Sequence, residues 1–152
     1  MKTSSYKKFL LMMGLSFLVM YFVMYLNLAS LSHFYFTINR AYMAFLMVAP
    51  MALIMLAFMR GMYTHKKLNL VIAAGSILLF LGVLFLERSQ TPVGDKAFMR
   101  SMIPHHSSAI LVSENADLSD PEVKKLAEQI IKSQKEEIAQ MKAILERMEN
   151  EK

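Results

Sequence analysis

The sequence of 152 residues contains no cysteine. Disulfides, thiolate metal sites and thiol catalysis are therefore excluded. It also lacks acidic residues over more than its first half: all 12 Asp and Glu lie at or after Glu87. The segment before Glu87 carries seven basic residues, Lys2, Lys7, Lys8, Arg40, Arg60, Lys66 and Lys67. The remainder balances 10 basic residues against the 12 acids. The net charge of +5 thus reflects lysines and arginines flanking apolar runs. It is not the basic stripe of a nucleic-acid-binding face, and no nucleic-acid partner is expected.

Two further absences restrict function. The apolar runs contain no acid, and the chain has neither a Cys-Pro-Cys triplet nor a nucleotide-binding loop. Proton-coupled or ATP-driven pumping by this chain alone has no support. No acid–base set can be named either, so the chain is not expected to be an enzyme.

What is present is hydrophobic. Aliphatic, aromatic and methionine residues make up 55% of the chain, with 15 methionines. Phe9 to Leu28 is an apolar run of about 20 residues, enough to cross a bilayer as a helix. The run is long for a cleaved signal peptide, and Asn27-Leu28-Ala29-Ser30 makes a poor cleavage site. Ala41 to Met59 forms a second span, with Pro50 expected to kink it. Leu68 to Leu86 forms a third, in which Ala73, Ala74, Gly75, Ser76 and Gly82 offer small surfaces for a neighbouring helix. Lys2, Lys7 and Lys8 precede span one, and Arg60, Lys66 and Lys67 follow span two. The positive-inside rule then places both in the cytoplasm and everything after Leu86 outside. The expected location is a bacterial inner membrane with a periplasmic C-terminal domain.

Glu87 to Gly94 reads as a linker containing Pro92 and Gly94. Two helices are expected beyond it, one over about 95–116 and one from about 120 to 149. Ser119-Asp120-Pro121-Glu122 reads as a helix start, with Ser119 as N-cap and Glu122 as the capping-box acid. Val123, Leu126, Ile130, Ile138, Met141, Leu145 and Met148 keep helical spacing along the second helix. Its other face carries Lys125, Glu128, Lys132, Lys135, Glu136, Lys142 and Glu146. The predicted fold is all-α: a transmembrane domain over 1–90 and an antiparallel helical hairpin over 94–152. A hairpin alone buries too little apolar surface, so a homodimer or higher homo-oligomer is expected to complete a four-helix bundle.

The chemistry concentrates in Phe98-Met99-Arg100-Ser101-Met102-Ile103-Pro104-His105-His106. At about 100° per residue, Met102 lies between His105 and His106 in angle, with Met99 on the same broad face. The antiparallel return of the second helix brings Met141 level with Met99 and Glu137 level with Met102. Thioether and imidazole together suit copper: Cu(I) for the thioethers, Cu(II) as well for the imidazoles. Zinc usually recruits cysteine, histidine or carboxylate. The Glu-x-x-His signature of di-iron bundles is absent. The plain alternative is that these residues simply pack a hairpin interface.

These strings, with Ala109-Ile110 and Gln134-x-x-Glu137-Ile138-Ala139-Gln140-Met141-Lys142, resemble the bacterial domain-of-unknown-function family 305 over about 97–145. The three apolar runs resemble a membrane-bound branch of that family. The resemblance implies a ferritin-like helical bundle. It also implies copper binding, since some members are periplasmic copper-binding proteins whose genes accompany copper-resistance functions. By match, Met99, Met102, His105, His106 and Met141 inherit a metal-ligand role, with Glu137 as a possible supporting group. Longer soluble members often carry an acid and a methionine where this chain has Leu111 and Val112.

The expected function is a membrane-anchored copper-binding protein, for sequestration or hand-off to periplasmic copper proteins. The rival is a metal-free assembly module that oligomerises through its hairpin. Met43, Met47, Met51, Met55 and Met59, four apart along span two, admit two readings as well: a ladder of soft sites facing Met20 and Met24, or packing methionine. His33 and His65 read as incidental loop histidines.

Overall fold

A computed structural model describes residues 2–151. Five α-helices account for most of them: α1 Lys2–Val23, α2 Ile38–Phe58, α3 Lys66–Ser89, α4 Asp95–Asn115 and α5 Pro121–Asn150. A short 3-10 turn, Leu31–His33, lies between α1 and α2. Among the described residues no strand occurs. Three helices are long and apolar enough to cross a membrane: Ser5–Val23 within α1, then α2 and α3. These helices coincide with the three expected apolar runs, with shifted ends. The first helix starts earlier and ends at Val23, so the apolar residues through Leu28 lie outside it in turn and loop.

The chain divides into two compact units. One comprises the chain up to Met24 together with Asn39–Pro92. Its core joins Tyr6, Phe9 and Met13 of α1 to Val48, Ala52 and Leu56 of α2 and to Tyr63. A polar clasp closes one end of it. The Tyr6 hydroxyl donates to Asn69 Oδ1 at 2.7 Å and accepts from the His65 N–H at 3.1 Å. Asn69 Nδ2 in turn donates to the Tyr63 carbonyl at 2.6 Å. His65 is not incidental: its Nδ1 accepts from the Leu68 N–H and caps α3, satisfying one of the donors a helix start leaves open. α2 runs through Pro50 as one helix. The methionine row of α2 divides between two environments. Met51, Met55 and Met59 pack against the core alongside Met20 of α1, whereas Met43 and Met47 are exposed.

The second unit holds Tyr25–Ile38 together with the chain from Val93 on. α4 and α5 form an antiparallel hairpin around Met99, Ile103, Ile110, Ile138 and Leu145. On α4 these positions recur at helical spacing, which gathers them on one face. Asp120, not Ser119, caps α5: its Oδ1 accepts from the Glu122 and Val123 N–H groups, with Pro121 in the first turn. Asp120 sits immediately before Pro121, whose fixed φ suits the first helical position, and this register makes Asp120 the cap in place of Ser119.

Segment 25–38 is the third layer of this unit. Tyr35 packs against the hairpin core, and its carbonyl accepts from the Tyr25 hydroxyl at 2.6 Å. The Ala29 N–H donates to Ser107 Oγ at 2.9 Å, and Lys142 Nζ donates to Ser32 Oγ at 3.3 Å. Ser107 is fully buried. A buried hydroxyl needs partners, and the loop between α1 and α2 supplies them.

Candidate metal centre

α4 presents its chemistry in successive residues that point in different directions. Ile103 and Pro104 are buried, His105 is exposed, His106 is largely covered, and Ser107 is buried. This follows from the turn angle of the helix: adjacent residues cannot share a face.

His106 is fixed at both ring nitrogens. Nδ1 lies 2.9 Å from the Met102 carbonyl oxygen, one turn back. Nε2 lies 2.7 Å from Glu137 Oε2 on α5. A carbonyl only accepts, so Nδ1 carries a proton. The Glu137 carboxylate engages the other ring nitrogen, so the ring is clamped between α4 and α5. Glu137 is itself oriented by α5, since Ser133 Oγ donates to its Oε1 at 2.8 Å. The Ser133 hydroxyl first, and His106 second, hold the Glu137 carboxyl below its ordinary range. The imidazole side chain is 12% exposed and the carboxylate 45%, so the pair is open to solvent on the carboxylate side.

The five residues expected as ligands separate into two groups. Met99 lies in the apolar core with Ile103, Ile138 and Leu145, and the half-buried Met141 packs against that core. Met102 is half-buried and lends its backbone carbonyl to His106. His105 faces outward, its ring centre 6.0 Å from that of His106. Among the described residues no three His, Cys, Asp or Glu side chains form a ready-made metal cluster. Glu137, expected only as a supporting group, is the direct partner of His106.

Sequence reasoning missed a second histidine. His33 Nδ1 lies 2.9 Å from Ser107 Oγ, the hydroxyl that also receives the Ala29 N–H. Burial, and then the nearby Lys142 ammonium, lower the His33 pKa from the usual imidazole value. The same ammonium repels cations, so His33 belongs to the loop's attachment and not to a metal site. Nothing in the local sequence around His33 pairs it with a serine 74 positions away.

A family model described as Domain of unknown function (DUF305) matches residues 84–152. An uncharacterized protein of Acanthamoeba polyphaga mimivirus is 35% identical over 111 residues, covering 72% of this chain and 71% of its own. The chain belongs to the DUF305 family. The matched segment of this DUF305 protein runs from the end of α3 through the whole α4–α5 hairpin, and so contains the His106–Glu137 clamp. The mimivirus alignment is longer than that segment, so the similarity reaches beyond the DUF305 match. No solved structure matches the chain significantly.

Proposed function

We propose that this DUF305 protein is a membrane-anchored copper-binding protein whose hairpin holds the ion on the extracytoplasmic side, for sequestration or hand-off. The observation that carries the reading is the seating of His106. Metal-ligating histidines commonly donate one ring N–H to a carbonyl, which fixes the tautomer and aims the other nitrogen outward. Nδ1 of His106 has that partner in the Met102 carbonyl, and Nε2 is aimed at a solvent-facing carboxylate. The donor types fit copper: imidazole at His106 and His105, carboxylate at Glu137, thioether at Met102, with the thioethers of Met99 and Met141 held in the adjacent core. The accessible donors, imidazole and carboxylate, suit Cu(II) directly. Cu(I) draws on thioethers, two of which would have to turn out of the core.

An imidazole nitrogen binds metal only without its proton, so affinity rises with pH. Competition titration of the full chain in detergent with a chromophoric copper chelator, repeated at several pH values, tests this. His106→Gln should lower Cu(II) affinity by at least about tenfold, roughly 1.4 kcal/mol. It should also remove most of the pH dependence. Met99→Leu with Met102→Leu conserves volume and should weaken Cu(I) more than Cu(II). Unchanged affinity in both variants would remove the site.

One observation favours the rival assembly module. Met99 and Met141 pack as core residues, and methionine fills irregular interfaces without any metal. Under that reading the full chain binds copper with no measurable stoichiometry and still self-associates.

A further inference from the structure

Segment 25–38 has two sides, and only one is accounted for by the hairpin. Ala29, Ser32, His33 and Tyr35 face α4 and α5 through the contacts given above. Leu26 and Leu31 are turned the other way, 81% and 90% exposed. Around them the segment is aromatic: Tyr25 and Phe34 stack with ring centres 4.3 Å apart, and Phe34 meets Phe36 edge-on at 5.0 Å. From Tyr25 to Asn39 there is no Asp, Glu, Lys or Arg.

We propose that segment 25–38 is a bilayer-docking plate: Leu26 and Leu31 insert at the membrane interface while the opposite side of the segment carries the hairpin. The inference rests on the reading of α1 and α2 as membrane spans, not on copper binding. Three observations single out lipid as the occupant. Both ends of the segment run straight into spans, since α1 ends at Val23 and α2 begins at Ile38, so the segment is held at the membrane surface by its own covalent ends. Its outer surface suits that location, because it is uncharged and includes Phe36, 68% exposed. Finally, Leu26 and Leu31 leave most of their apolar surface uncovered, which is unfavourable in water and favourable at a membrane interface. The consequence is that the hairpin is fastened to a surface element and not merely tethered through the linker that follows α3.

The absence of tryptophan makes the test clean, because any tryptophan introduced is the only one present. Full-length Leu31→Trp, Leu18→Trp and Val112→Trp are reconstituted in phosphatidylcholine vesicles, with and without brominated acyl chains. All three positions are exposed in the folded chain, at 90%, 51% and 65%, so no core contact is lost. Leu18 lies in α1 and reports the span; Val112 lies on the hairpin and reports water. Leu31→Trp should emit to the blue of Val112→Trp, be quenched by the brominated lipid, and resist iodide. If Leu18→Trp is quenched by the brominated lipid while Leu31→Trp behaves like Val112→Trp, the spans stand and the docking plate is overturned. If neither is quenched, the spans and the plate fall together. A blue shift at Leu31 that grows with the protein-to-lipid ratio, without lipid quenching, would mean that a second copy covers the leucines, and would also overturn the proposal. Leu26→Trp, at an equally open position, repeats the measurement independently.

Discussion

At the scale of single residues, the His106–Glu137 pair is where charge, hydrogen bonding and proposed function meet. The Glu137 carboxyl is held below its ordinary range by Ser133 and by His106. A carboxyl depressed on folding contributes stability above the ordinary carboxylate range and loses it as the pH falls through the folded value. Glu137→Gln should therefore lower the thermal midpoint near neutral pH. The midpoints of variant and parent should converge once the parent carboxylate is protonated. Parallel thermal scans from neutral to strongly acid pH would show it, and curves that never converge would mean that Glu137 contributes by something other than charge. The residue pattern made Met99, Met102, His105 and His106 look like one set. The helix separates them because the exposed and buried faces of α4 lie only one or two residues apart.

At the scale of elements, Ser107 joins the loop to the hairpin. Its hydroxyl receives the Ala29 N–H and meets His33 while wholly buried. Ser107→Ala removes the hydroxyl that joins Ala29 and His33 to α4, and should cost about 1 kcal/mol. The contact should also weaken with acid. The His33 pKa is lowered by burial and by Lys142. Released, His33 takes up a proton in the ordinary imidazole range; docked, it resists. Docking is thus at full strength above that range and declines as the pH falls from it toward the docked value. Limited proteolysis at segment 25–38 should accelerate below pH about 6.5 in the parent. It should be fast at every pH in Ser107→Ala, and a parent rate independent of pH would exclude His33 as the titrating group.

At the scale of the whole molecule, the basic residues and the uncovered apolar residues each make a claim. The expected orientation puts the lysines before α1 and the loop after α2 in the cytoplasm. In the cysteine-free parent, Asn150→Cys should react with a membrane-impermeant thiol reagent on intact spheroplasts, and Thr64→Cys should not. The reverse would invert the topology. On α5, Val123 and Leu126 are 45% and 55% exposed, although both belong to its apolar stripe. Self-association would cover them. Leu126→Asp places a charge there without disturbing the folded monomer's core, and should shift the full chain to a smaller particle in analytical ultracentrifugation. An unchanged mass would show that this end of the hairpin is not the contact.

The local elements were legible in the sequence because their signals are local. Runs of apolar residues determine the three apolar helices, Pro121 and its neighbours determine where α5 begins, and the three- and four-residue spacing on α4 and α5 determines the hairpin, although the register placed Glu137 level with Met102 and not with its partner His106. The tertiary structure decided what depends on residues far apart in the chain. It assigned Tyr25–Ile38 to the hairpin through Ser107 and Tyr35, gave His33 a buried partner, and turned Met99 and Met141 into the core while leaving His105 in solvent. The physical reason is that helical periodicity specifies the angle of a side chain about its own axis, whereas burial depends on which other surface arrives opposite that angle. For α4 the arriving surfaces are α5 on one side and the loop between α1 and α2 on the other, and no local pattern in either sequence announces that second contact.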